Sequence, residues 1–251
     1  MSSRHHHLDR DADDHGGWLP PEPVRRPLRL THPVISVHAL VRMTLAAGVL
    51  VGSLLLLEAR LIEGPPPGLD VAVLDWVAEH RTEAAVAVSR QLSRLGDLPV
   101  VLAVGAVLVV LARRRSGRWD SAWLVGTVVT GALGITALVK EITDRARPDG
   151  ALVDALSFAF PSGHASRAAA VYALLAYLAI QWGGSRSSRV AMSALAILMG
   201  LATGVGRVVL GVHWPSDVLF GWLMGTIWLL VVIGSTRPHR MTDEEVAAAR
   251  H

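Results

Sequence analysis

SAWLVGTVVTGALGITALV, residues Ser121–Val139, carries no charge until Lys140 ends it. A run of this kind approaches the ~20 apolar residues that a helix needs to cross a hydrocarbon layer. Comparable runs occupy Met43–Leu57, Leu98–Ala112, Ala165–Trp182, Val190–Val205 and Val218–Ile233. Several are short, so their helices must extend into flanks such as Val37–Arg42 and Arg207–Val212. Six such runs in 251 residues leave too little polar surface to clothe a water-soluble globule. Composition agrees, with 51% hydrophobic residues, 18% charged residues and a mean hydropathy of +0.41. The expected fold is all-α: a polytopic membrane helical bundle with about six transmembrane helices. Glycines inside the runs, Gly200, Gly204, Gly206, Gly221 and Gly225, predict close helix approach.

Outward from these runs the chain divides into three parts. Residues 1–33 are polar and rich in proline (Pro20, Pro21, Pro23, Pro27, Pro33), which predicts a disordered cytoplasmic tail. Residues 34–236 form the membrane domain, and residues 237–251 a second cytoplasmic tail with Thr242 and Glu245 at capping-box spacing. The run near Met43 lacks a small-residue cleavage site after it and is expected to remain as an anchor. Within the membrane domain, segment 58–97 is a long loop broken by Pro65, Pro66, Pro67 and Gly68. Beyond the break, Leu74, Val77, Ala78, Ala85, Val88, Leu92 and Leu95 recur near helical spacing. They predict an interfacial amphipathic helix covering the bundle.

Charge placement orients the bundle. Arg25, Arg26 and Arg29, then Arg113, Arg114, Arg115 and Arg118, then Arg186 and Arg189, and finally Arg237 and Arg240 fall on alternate connections, which the positive-inside rule assigns to the cytoplasm. Segment 58–97 carries seven acids against four arginines and falls on the other side. Both termini are then cytoplasmic. Cysteine is absent, so thiolate nucleophiles and disulfides are excluded. The pI of about 10.1 reflects arginines scattered between apolar runs, with a net charge of only +3, and does not indicate nucleic acid.

Three short clusters stand at the ends of apolar runs on the extracytoplasmic side: Lys140 with Arg147 and Pro148; Pro161, Ser162, Gly163 and His164; Arg207 with His213 and Asp217. Charged groups beside a bilayer core are costly, so their gathering points to a functional site. Arginine offers a planar fork to two oxygens at once and lysine a compact charge, so Lys140, Arg147 and Arg207 suit a phosphate cradle. Ser162 is placed to cap a helix starting at Gly163, which would present main-chain N–H groups to an anion, and Gly163 lets an oxygen approach closely. Histidine supplies a group able to attack phosphorus or to protonate a leaving oxygen near neutral pH. His213 and Asp217, four residues apart, allow a carboxylate to fix one imidazole nitrogen and leave the other nucleophilic.

Lys140-x6-Arg147-Pro148, Pro161-Ser162-Gly163-His164 and Arg207-x5-His213-x3-Asp217 resemble the three-part signature of the type 2 phosphatidic acid phosphatase superfamily. One departure stands out: the third part usually opens with serine, and this chain has Gly206. The resemblance implies a metal-independent phosphatase without a cofactor. In it His213 would attack phosphorus to give a phosphohistidine, Asp217 would orient His213, and His164 would protonate the leaving group. Lys140, Arg147, Ser162, Gly163 and Arg207 would hold the phosphoryl oxygens. The implied substrate is a lipid phosphate or diphosphate, of the phosphatidic acid, phosphatidylglycerol phosphate or isoprenyl diphosphate type, met in the bilayer. A vanadate-dependent haloperoxidase shares the signature, and a catalytically silent lipid-phosphate-binding membrane protein would retain the cradle. A metal bound by His164, His213 and Asp217 is disfavoured by the three neighbouring cations.

Overall fold

The computed structural model describes residues 67–235, apart from 118, 156 and 183, together with short helical stretches at 41–43, 45–49 and 52–53. The expected tails at 1–33 and 237–251, and most of the run at Met43–Leu57, lie outside the described residues. Among the described residues seven helices are complete: α1 Gly68–His80, α2 Glu83–Arg94, α3 Leu98–Ser116, α4 Asp120–Ile142, α5 Gly163–Gln181, α6 Arg186–Val209 and α7 Pro215–Ser235. No strand occurs among the described residues.

Local chemistry sets the helix ends. The Thr82 hydroxyl accepts the Ala85 N–H and starts α2, and the Ser185 hydroxyl accepts the Ser188 N–H and starts α6. Gly117, at φ 68°, closes α3 in the left-handed conformation that an L side chain disfavours, just after Arg113, Arg114 and Arg115 complement the helix dipole. Pro215 occupies the first position of α7, where a missing N–H costs nothing.

Helix α5 is the axis. It packs against α4, α6 and α7, while α3 lies on α4, α2 lies along α6, and α1 touches α6 and α7. A core of Val125, Val128, Val139, Phe160, Val171, Leu174, Leu178 and Met224 fills the space around it. Lipid tails are as apolar as leucine, so van der Waals fit and hydrogen bonding must hold such helices together. The glycines provide that fit: a Cβ at Gly221 would stand 2.6 Å from the Ser162 carbonyl oxygen, and one at Gly204 would run into the Trp222 ring. Large apolar side chains on α6 and α7, including Leu195, Leu198, Leu201, Leu219 and Leu230, face outward.

Three described helices are long and apolar enough to cross a membrane: residues Ala122–Ile142 of α4, α6 and α7. A fourth results if α2 and α3, bent by 48° at their junction, form one span. The expected run Ala165–Trp182 belongs to α5 but falls below that level of apolarity. Protein surrounds α5, so alanine and serine suffice where a lipid-facing helix needs leucine. The amphipathic helix expected in 58–97 is two helices, broken at Arg81 and Thr82. Its inner face is shifted from the expected one, with Leu74, Val77, Ala85, Leu92 and Leu95 half-buried as expected. Val88 is exposed, whereas Ser89 and Ser93 are buried against α6. Small polar residues let α2 approach α6 more closely than an apolar stripe would.

Candidate active site

The three clusters meet at one end of the bundle. Helix α5 begins there at Gly163, and α6 and α4 deliver Arg207 and Lys140 in their last turns. The arginines of the α3 terminus lie at the other end: the Arg115 guanidinium stacks over Trp182, just past the end of α5, and donates to its carbonyl at 2.9 Å. Main-chain and side-chain bonds join the clusters directly. The Ser162 N–H donates to the Asp217 carbonyl at 2.9 Å, and the Thr136 and Ser166 hydroxyls share a buried hydrogen bond of 2.9 Å between α4 and α5.

The expected cap forms, with the Ser162 hydroxyl accepting the Ala165 N–H, and Ser162 is wholly buried. The Phe160–Pro161 peptide before it is cis. Gly163 is tight against the cations: a Cβ there would lie 3.1 Å from Arg167 Nη1 and 3.6 Å from Lys140 Cε. The loop between α4 and α5 is held by the same cations. Lys140 donates to the Phe158 carbonyl, and Arg147 donates to the carbonyls of Ser157, Phe158 and Val212.

His213 is 1% exposed and Asp217 is fully buried. His213 Nδ1 lies 3.3 Å from Asp217 Oδ2, which also accepts the Trp214 N–H at 2.9 Å, and His213 Nε2 lies 3.2 Å from Arg147 Nη1. Burial holds the His213 imidazole well below its ordinary pKa, and the charges of Arg147, Lys140 and Arg207 push it the same way. The ring is therefore neutral at pH 7. Burial likewise lowers the pKa of Arg147. Arg207 is 7% exposed, and its Nη1 donates to Ser93 Oγ at 3.0 Å. Its Nε is a buried donor with no hydrogen-bond partner among the described residues. A buried donor without an acceptor is costly, and an anion at this site would satisfy it. The charge of Arg207 acts on both imidazoles, His164 and His213.

Four contributors to the site escaped the sequence reading. Asp97 precedes Pro99 at the start of α3 and has the look of an N-cap, yet it makes no cap bond. Its Oδ1 accepts from His164 Nε2 at 2.9 Å instead. Arg145, two residues before Arg147, is 5% exposed and bonds both Asp217 Oδ1 and Asp70 Oδ2. Ser93 stands beside Arg207, and Arg167 donates to the Gly96 carbonyl through Nε and Nη2. The one sequence signal for Arg145 was its place in a charged loop between two apolar runs.

Gly206 has a packing reason. A Cβ there would meet the Ser89 carbonyl oxygen at 3.0 Å, so the usual serine would press on α2 and push it back by a few tenths of an ångström. The hydroxyl beside Arg207 comes from Ser93 of the same helix.

Comparison with known proteins places this arrangement. The family model of the PAP2 superfamily matches residues 121–240. Phosphatidylglycerophosphatase B of Bacillus subtilis is 34% identical over 139 residues, covering 55% of this chain and 66% of that protein. The chain thus spans just under two thirds of that relative's length. Decaprenylphosphoryl-5-phosphoribose phosphatase of Mycobacterium tuberculosis is 31% identical over 185 residues, covering 66% of this chain and 89% of that protein. The crystal structure of a transmembrane PAP2 type phosphatidylglycerolphosphate phosphatase from Bacillus subtilis superposes with a TM-score of 0.64 at 27% identity, covering 73% of this chain and 94% of that one. With its fold and its three signature clusters in this arrangement, the chain belongs to the PAP2 superfamily.

Proposed function

We propose that this protein is an integral membrane phosphatase that hydrolyses a lipid phosphate or diphosphate through a phosphohistidine on His213. One observation carries the reading: a buried, neutral His213, held by Asp217 on one nitrogen, turns its other nitrogen toward Arg147 amid Lys140 and Arg207. Such a nitrogen is a nucleophile next to a site that only an anion would fill.

In the first step the Nε2 lone pair bonds to phosphorus as the bond from phosphorus to the lipid oxygen breaks, and His164, entering this step as the imidazolium with Asp97 as its counter-charge, gives that oxygen a proton. In the second, water attacks the phosphohistidine, His164 takes its proton, and inorganic phosphate leaves with Nε2 restored. Lys140, Arg147, Arg207 and the main chain at Ser162 and Gly163 hold the equatorial oxygens while charge builds. The names of the relatives support a lipid-linked phosphate as the substrate class. Inorganic phosphate release from a panel of lipid monophosphates and diphosphates, with chelator present, tests this function. Release by the wild type and none by His213→Ala is expected; release that requires a divalent metal overturns it.

The site opens on the extracytoplasmic face, with both termini in the cytoplasm. Support comes from Arg113, Arg114, Arg115, Arg186 and Arg189, which gather at the bundle end opposite the site. The native chain has no cysteine, so single cysteines at Asp75 and Arg186 give a clean assay with a membrane-impermeant maleimide on intact cells. Labelling at position 75 alone is expected, and labelling at 186 alone reverses the orientation.

A further inference from the structure

Asp70 is 3% exposed in the first turn of α1, a helix that carries none of the signature residues, and nothing described above gives it a role. Its two oxygens are both committed to the site. Oδ1 accepts the main-chain N–H of Ser216 at 2.9 Å, and Oδ2 accepts from Arg145 Nη2 at 2.8 Å and from the Ser216 hydroxyl. Arg145 Nη1 in turn reaches Asp217 Oδ1 and the Ser216 hydroxyl, and its guanidinium lies 5.7 Å from the centre of the Trp214 ring. Trp214 closes the loop through its indole N–H, which donates to the Ala146 carbonyl at 2.9 Å.

We propose that Asp70 and Arg145 are positioning residues that set the reach and charge of the Asp217 carboxylate toward His213. The proposal rests on the phosphohistidine reading above. Two physical effects carry it. Ser216 is the second residue of α7, so Asp70 caps from another helix the turn that bears Asp217, and fixes where that carboxylate stands. Arg145 is also shared between two carboxylates. A buried arginine with one acidic partner forms a neutral pair, whereas two acids around it leave a net negative charge. Asp70 thus keeps Arg145 from neutralising Asp217, and that charge faces the imidazole that becomes positive when Nε2 bonds to phosphorus. The charges of Arg147, Lys140 and Arg207 act on His213 from the other side, and Asp217 is the carboxylate bonded to it.

The test uses the full-length protein in detergent, with the lipid phosphate that the wild type hydrolyses fastest. Wild-type turnover and its loss in His213→Ala report on the parent reading by themselves. Asp70→Asn removes one buried charge and leaves Arg145 and Asp217 as a neutral pair. It is expected to lower kcat about 10-fold, the usual order for a supporting residue that holds a reacting group, with KM within about 2-fold. Vanadate imitates the five-coordinate phosphoryl group bonded to His213 Nε2, so its inhibition should weaken by about the same 10-fold. Inhibition by inorganic phosphate, which needs only the cradle, should stay within about 2-fold. Asp70→Glu should recover part of kcat. If Asp70→Asn does not fold, Arg145→Lys carries the same comparison, since it keeps the charge but cannot span both carboxylates. A kcat within 2-fold of wild type, or equal losses of vanadate and phosphate inhibition, overturns the proposal.

Discussion

Arg147 Nη1 lies 3.2 Å from His213 Nε2, across the ring from the Asp217 contact at Nδ1. A guanidinium can only donate, so a hydrogen bond across this contact calls for the tautomer with the lone pair on Nε2 and the proton on Nδ1, facing Asp217 Oδ2. The same arginine donates to the Val212 carbonyl at 2.6 Å through that nitrogen, which keeps it in place beside the ring. In the proposed mechanism the attacking lone pair then points at the group that would hold a phosphoryl oxygen.

Asp217→Asn should separate orientation from charge. The amide presents an N–H where the carboxylate accepted one, which favours the wrong tautomer, and kcat is expected to fall about 10³-fold to 10⁴-fold. Steady-state kinetics on a lipid phosphate provide the check. A loss below 10-fold would mean that the His213–Asp217 contact is structural.

Stability should depend on His213 in acid. Folded His213 is held well below its ordinary value of 6.5, chiefly by burial and then by Arg147, Lys140 and Arg207. The unfolded chain takes up this proton as pH falls through 6.5 and the folded chain does not, so stability is lost there, by up to about 1.4 kcal/mol per pH unit. His213→Gln removes that loss. Its melting temperature should fall less than that of the wild type between about pH 7 and pH 5, and parallel curves would refute the buried neutral ring.

Restoring the usual serine should harm this protein. Gly206→Ser places a Cβ 3.0 Å from the Ser89 carbonyl oxygen, so α2 has to give by a few tenths of an ångström and strain the bond between Ser93 and Arg207. A lower melting temperature and a reduced kcat are expected, with a cost of about 1–3 kcal/mol typical of overpacking. A faster enzyme would show that the helix gives way without consequence.

Asp97 should matter through His164. His164→Ala is expected to cut turnover of a lipid phosphate by about 10²-fold to 10⁴-fold, because an alkoxide leaves poorly without a proton. Turnover of p-nitrophenyl phosphate, whose phenolate leaves unaided, should drop far less. Asp97→Asn should show the same asymmetry to a smaller degree, since Asp97 Oδ1 orients the ring from 2.9 Å. Equal losses on both substrates would remove His164 from proton transfer.

How much of this was visible in the sequence follows from where each residue sits. Lys140, Arg147, Ser162, Gly163, His164, Arg207, His213 and Asp217 lie in short clusters at span ends, where a charge or a turn residue needs a reason. The bundle brings them to one end. Gly204 and Gly221 also pack as their spacing within apolar runs suggested. Asp70, Ser93 and Asp97 were illegible because they come from segment 58–97, where acids and serines have the composition of an ordinary solvated face. Only packing turns them inward, and it does so by burying Ser89 and Ser93 while leaving Val88 exposed. Arg145 was overlooked for a different reason. Arg147 alone has the signature spacing, and a burial as deep as that of Arg145 depends on carboxylates remote in sequence.

Trapping the covalent intermediate tests the central claim most directly. A lipid phosphate radiolabelled at phosphorus is mixed with the protein, quenched in alkali within one turnover, and the labelled peptide is sequenced. Label that is stable to base, released by acid, attached to His213 and absent from His213→Gln is the expected result. Label on any other residue, or rapid turnover in His213→Gln, would contradict the account.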